Sequence, residues 1–145
     1  METQQQTAHM TQANATNTAT SIADIVNGYF AMWHETDPIQ RQAVLARTWT
    51  QDAHYVDPLV AANGADGLDA MVAGVHAQFP GHRFVLASAI DAHHDWAMWK
   101  WELVGPASGA LVAAAGVDFA TLAPDGKLRD VIGFLSAQPD AATSA

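Results

Sequence analysis

The sequence contains no cysteine. Disulfides, thiolate metal sites and cysteine nucleophiles are therefore excluded, while the redox compartment stays open. Basic residues are scarce: six Lys and Arg stand against fifteen Asp and Glu, for a formal net charge of −9. Phosphate backbones are held by clustered Lys and Arg, and the six here are scattered from Arg41 to Arg129, so nucleic acid is not expected as a partner. An acidic lipid surface is disfavoured on the same ground. No run of eighteen apolar residues exists, so no membrane span is expected. Residues 1–19 lack both the basic start and the apolar core of a signal peptide. They read as a disordered tail, and a cytoplasmic location is the default expectation.

What is present is a core. Half of the 145 residues are apolar and 14% are charged. A chain of this length makes one domain and can bury roughly 70% of the surface that its unfolded form exposes. Ile22, Val26, Tyr29, Phe30 and Trp33 recur at helical spacing and predict an amphipathic helix to about Thr36. Asp37-Pro38 restarts a helix, with Asp as cap, Pro at the first helical position and Ile39, Val44, Leu45 and Trp49 as its apolar stripe. A short extended piece over 53–57 ends at Pro58, and 59–66 reads as a loop. A third helix carries Leu68, Met71, Val72, Val75 and Phe79 on one face and stops at Pro80-Gly81.

Everything beyond reads as strands near 83–91, 96–104, 110–123 and 128–137. Pro124-Asp125-Gly126-Lys127 is a strong hairpin signal between the last two. The expectation is an α+β fold, three N-terminal helices packed on an antiparallel sheet, over residues 20–137, with 138–145 as a C-terminal tail. The strand 96–104 is apolar on both parities, with Ala97, Trp99, Trp101 and Leu103 on one face and Trp96 and Met98 on the other. One face packs on the helices. The other needs cover, and a second copy of the chain is the simplest cover, so a homodimer through the sheet is expected.

Three polar residues stand where the apolar pattern does not want them. Tyr29 lies on the stripe of the first helix, where it can also be an ordinary core tyrosine. Asp57 ends His54-Tyr55-Val56-Asp57-Pro58 on the face of Tyr55, where it can also simply cap a turn. Asp118 interrupts the apolar run 113–120 in the longest strand, where outward parity would leave it in water. If it faces inward, it must be paired, hydrogen-bonded or protonated, because burying a bare carboxylate costs several kcal/mol. His54, His76, His93 and His94 form a second set. His76 can point inward as an acid or base, while His93 and His94 sit at a hairpin tip. No HxH or HExxH spacing exists, so a metal site is not expected. No cofactor is expected either. Tyr55, Phe79, Trp99, Trp101 and Phe134 are candidate walls for a flat hydrophobic ligand, although core packing accounts for them equally.

The segments Val26-Asn27-Gly28-Tyr29-Phe30-Ala31-Met32-Trp33, Asp52-Ala53-His54-Tyr55-Val56-Asp57-Pro58 and Val117-Asp118-Phe119, with Asp125-Gly126-Lys127 behind them, resemble the nuclear transport factor two-like superfamily. Within it the chain is similar to SnoaL-like polyketide cyclases and to ketosteroid isomerase, over about residues 20–137. The resemblance implies a cone-shaped roll whose helices cross a highly curved sheet, with a pocket at one end. It implies Tyr29 as an oxyanion-hole tyrosine, Asp57 as general base and Asp118 as a protonated aspartic acid beside Tyr29, a role that ketosteroid isomerase gives to a carboxylic acid kept neutral by its apolar site. Two departures stand out. The isomerase supports its tyrosine with another on the third helix, where this chain has Val75 or His76. An epoxide-hydrolysing relative has Arg two residues before the strand Asp, where this chain has Gly116. The expected function is acid/base proton transfer on a hydrophobic carbonyl compound. The alternatives are a non-catalytic domain for a small apolar ligand and a dehydratase using a pocket histidine.

Overall fold

The computed structural model describes residues 21–136, so both expected tails lie outside the described residues. Helix α1 (Ile22–His34) opens on Ser21, whose hydroxyl accepts from the Asp24 amide at 3.1 Å, and buries Ile25, Val26, Tyr29, Met32 and Trp33. It stops at His34, two residues short of the expected end. Helix α2 (Pro38–Thr48) is capped by the Asp37 carboxylate on the Ile39 amide at 3.2 Å. Its buried stripe corrects the expectation: Ile39 is 78% exposed, and Arg41 is buried instead. The Arg41 guanidinium donates to Asp69 at 2.7 Å and to the Glu35 carbonyl at 3.0 Å, which makes its burial tolerable. Helix α3 (Gly64–Gln78) buries Leu68, Met71 and Val72.

The strands are β1 (Trp49–Val56), β2 (Ala61–Asn63), β3 (Arg83–Leu86), β4 (Asp91–His93), β5 (Trp96–Val104), β6 (Val112–Leu122) and β7 (Leu128–Leu135). They form a single seven-stranded sheet of order β2-β1-β7-β6-β5-β3, with β4 also paired to β5. Part of the expected loop 59–66 is therefore the short strand β2, antiparallel to β1. The expected strand 83–91 is broken after Leu86, where the Ser88 hydroxyl takes the Lys100 amide at 2.8 Å and interrupts the ladder. The sheet is mixed, not antiparallel: β1 and β7 run parallel. No turn joins those two strands, so turn signals carried no information about their relative direction. The 124–127 hairpin forms as expected, with Gly126 at φ 89° and the Lys127 amide on the Asp125 carboxylate at 3.0 Å. Register shifts in β1, β5 and β6 bend the sheet, which stays open between its edges β2 and β3.

Alternation then sorts the side chains. Ala97, Trp99, Trp101 and Leu103 of β5 face the helices, with Asp118 and Ala120 of β6 and Val131 of β7 beside them. The opposite face carries Trp96, Phe119, Ile132 and Phe134, all exposed. No helix among the described residues is long and apolar enough to cross a membrane.

Candidate active site

The site grows from one row of residues across the sheet. Trp99 of β5 stands opposite Asp118 of β6, and Asp118 stands opposite Gly133 of β7. Asp57 follows the last paired residue of β1, so it lies next to Gly133 on the other side. A Cβ at Gly133 would lie 2.9 Å from Asp118 Oδ1, 3.3 Å from Asp57 Cβ and 3.5 Å from the Tyr55 hydroxyl. The missing side chain is what lets the two acids share one floor. Gly116 serves the neighbouring row: a Cβ there would run into the Phe134 carbonyl oxygen and come within 2.6 Å of the Trp101 indole.

Each acid is held by a tyrosine. From α1, the Tyr29 hydroxyl donates to Asp118 Oδ2 at 2.8 Å. From β1, the Tyr55 hydroxyl donates to Asp57 Oδ2 at 2.7 Å. Asp57 Oδ1 also accepts the Leu59 and Val60 amides at 2.8 and 2.9 Å, so this residue both caps the turn after Pro58 and faces the pocket. Asp118 is 2% exposed and its Oδ1 has no hydrogen-bond partner. Burial pushes its pKa up to about 7. The Tyr29 hydrogen bond and the nearby Trp101 indole oppose that rise, the Asp57 charge adds to it, and the Trp99 indole opposes it. Neither indole N–H closes a hydrogen bond of good geometry. Burial, the Asp118 charge and then Tyr55 raise Tyr29 well above the usual phenol value, so its hydroxyl keeps its proton. Tyr55 is raised as well, by burial first, then by Asp118 and by its bond to Asp57.

These four residues lie along a cavity of about 370 Å³ between the helices and the sheet. Phe30 and Trp33 of α1, Met71, Gly74, Val75 and Gln78 of α3, and Phe84, Trp101, Leu103, Ala114 and Leu135 complete most of its wall. Of the expected ligand contacts, Tyr55, Phe79 and Trp101 line it and three do not. Phe134 is a correction by parity: it alternates with inward Gly133 and lies 54% exposed on the far face, edge-on to Phe119 at 5.9 Å. Trp99 is a correction by depth: it is fully buried behind the site, its ring 5.3 Å from that of Tyr29. His76 is a correction by helical phase: Val75 takes the pocket position, and His76 Nε2 lies 2.6 Å from the Trp33 carbonyl, clasping α3 to α1. Among the described residues no histidine lines the cavity, so the pocket histidine that the dehydratase alternative calls for is not found there.

Trp33, Met71, Gly74, Gln78, Leu103, Ala114 and Leu135 were not foreseen in the wall. A signal existed for some of them. Ala114 and Gly116 are small at the inward positions of β6, and Ala70 and Gly74 are small one turn apart on α3. Small residues facing each other across two layers leave a void. Among the described residues, no three His, Asp or Glu converge as a metal ion requires.

The family model for the SnoaL-like domain matches residues 26–131. The chain belongs to the SnoaL-like family. A provisionally assigned isomerase of that family from Agrobacterium tumefaciens is 34% identical, with a TM-score of 0.72 over 78% of this chain and 95% of that one. A provisionally assigned SnoaL-like polyketide cyclase from Jannaschia sp. is 21% identical, with a TM-score of 0.65 over 82% of this chain and 88% of that one. A protein of ketosteroid isomerase-like fold from Catenulispora acidiphila, solved with trimethylamine, is 15% identical, with a TM-score of 0.63 over 78% and 85% of the two chains. The last two show the shared fold. No curated protein matches the chain.

Proposed function

We propose that this SnoaL-like protein is an isomerase- or cyclase-type enzyme that moves a proton on a hydrophobic carbonyl compound. The observation that carries the proposal is the pairing of two acids with two tyrosines in an otherwise apolar cavity, where Asp118 is pushed up to about 7. Like residues in unlike environments are how one site supplies both an acid and a base. Asp57, set toward the turn at Pro58, takes the proton α to the carbonyl, and the electron pair moves onto the carbonyl oxygen. Neutral Asp118 presents its hydroxyl hydrogen to that oxygen as its charge develops, and Tyr29 turns its one hydroxyl hydrogen from Asp118 Oδ2 to the same oxygen. Asp57 then returns the proton at another carbon, or the enolate carbon attacks a second carbonyl, whose π pair moves to its oxygen and takes the proton back from Asp57. The isomerase and cyclase assignments of the structural relatives are consistent with this chemistry.

Solvent deuterium exchange into an activated α-carbon, followed by NMR on a panel of steroidal, phenolic and terpenoid ketones, tests the proposal. Asp57→Asn is expected to lower exchange by about 10²–10⁴-fold, the usual contribution of a general base. Asp118→Asn keeps a donor and is expected to retain more activity than Asp118→Ala. A binding domain without catalysis is the second reading, favoured by the three hydrogen bonds that already occupy Asp57, two from the turn amides it caps and one from Tyr55. It expects ligand-induced stabilisation that survives Asp57→Asn and no exchange in the parent protein.

A further inference from the structure

Among the described residues, the cavity wall carries no Lys, Arg or His, and its charged side chains are the two acids Asp57 and Asp118. Its aromatic side is built by Trp33, Phe84 and Trp101, with Trp33–Phe84 centroids at 4.8 Å and Phe84–Trp101 at 5.4 Å. Aromatic faces attract a cation, and more strongly where water is excluded. Independently, Asp118 Oδ1 is buried with no donor, while Oδ2 is taken by Tyr29. An acceptor buried without a partner carries a desolvation cost that an incoming N–H would remove.

We propose that this cavity selects ligands by charge: it accepts a hydrophobic ammonium ion, whose N–H bonds the free oxygen of Asp118, and refuses a carboxylate of the same shape. The inference rests on the proposed role of the cavity as the ligand site, but not on proton transfer within it. An anion would have to shed water beside two acids with no cation to meet it. A neutral ketone is admitted by the protonated form of Asp118 and an ammonium ion by the ionised form. The groups facing Asp118 all bear on that exchange: Tyr29 from α1, Trp99 and Trp101 from β5, and Tyr55 and Asp57 from β1 and its end. β7 contributes only Gly133 at this point, and α3 adds no charged side chain to the wall.

Three probes of one shape test this by calorimetry: 2-naphthylmethylamine, 2-acetonaphthone and 2-naphthoate. Between about pH 6 and about pH 8 the ionised fraction of Asp118 rises from about a tenth to about nine-tenths, given its value of about 7. Amine affinity is therefore expected to rise about tenfold over that interval, because affinity scales with the competent fraction. Naphthoate is expected not to bind at either pH. Asp118→Asn should abolish the pH dependence of the amine and weaken its binding at the higher pH about tenfold or more. Naphthoate binding as tightly as the amine, failure of the amine to bind, or its pH dependence persisting in Asp118→Asn would each overturn the inference. The ranking of the three probes on the parent protein stands without the variant, should that fold poorly. Deuterium exchange separates the two proposals: loss of the enzymatic reading with the charge ranking intact leaves charge selectivity supported.

Discussion

Replacing Asp118 with asparagine is expected to stabilise the fold, and to do so only above a definite pH. The native carboxyl has its pKa raised from the ordinary 3.8 to about 7, chiefly by burial. A raised carboxyl binds its proton more tightly in the folded chain than in the unfolded one. Its protonated form is therefore at no disadvantage below the unfolded value, and folding loses stability as pH climbs from about 4 to about 7. At about 1.4 kcal/mol per pH unit, the interval from 3.8 to about 7 amounts to ~4 kcal/mol at neutral pH and above. Asparagine has nearly the same shape, can still accept the Tyr29 hydroxyl, and never ionises. The difference in unfolding free energy between variant and parent should be small and constant below pH ~4, grow in favour of the variant through the interval, and level off near pH ~8 at about 2–4 kcal/mol. Urea denaturation at intervals of one pH unit measures it directly. A difference that stays flat between those limits would refute the reasoning, and NMR titration of the Asp118 carboxyl carbon to a value at or below 3.8 would locate the error in the assumed burial penalty.

Three further outcomes are expected. Gly133→Ala places a methyl 2.9 Å from Asp118 Oδ1 and 3.3 Å from Asp57 Cβ, so the two acids must part; stability should fall by about 1–3 kcal/mol and α-proton exchange by about tenfold or more, read by denaturation and deuterium incorporation. Arg41→Ala removes a buried guanidinium from Asp69 and the Glu35 carbonyl, and should cost about 3 kcal/mol in denaturation while leaving the pocket's ligand affinity unchanged. The exposed row of Trp96, Phe119, Ile132 and Phe134 on the outer sheet face should join two copies of the chain, so sedimentation at micromolar concentration should give a dimer and Phe134→Glu a monomer.

The sequence announced the elements whose signals are local. The Asp37-Pro38 cap, the 124–127 turn and the helical periodicity of α1 and α3 all act within a few residues, and each formed close to its expected place. Asp118 was also readable, because period-two alternation alone puts it on the face of Gly116 and Ala120. The same rule, applied to β7, would have sent Phe134 outward; being aromatic is not evidence of facing a pocket. His76 shows the finer limit. One residue is about 100° of helix, and a phase known only to within a residue does not separate the wall position Val75 from the clasp position His76. The parallel β1–β7 pairing and the burial of Arg41 depend on partners far away in the chain, Leu128–Ile132 and Asp69, which no local pattern names.

The energetic cost at position 118 is itself an argument about function. The site is mid-strand, flanked by Trp99 and Gly133, and fully enclosed, so an alanine or valine there would satisfy the sheet without any ionisable group. The Tyr29 hydroxyl does not demand a carboxyl either, since an asparagine oxygen would accept it equally well. What a carboxyl adds over asparagine is a proton that can come and go near neutral pH, at a stability cost of about 4 kcal/mol when it is gone. Its neighbour across the glycine is a second acid, held by a second tyrosine and lining the same cavity. Folds keep locally unfavourable arrangements of this kind mainly where chemistry or recognition uses them. Packing explains Trp99, Met71 and Val131; it does not explain Asp118, and the ligand that meets it is where the explanation lies.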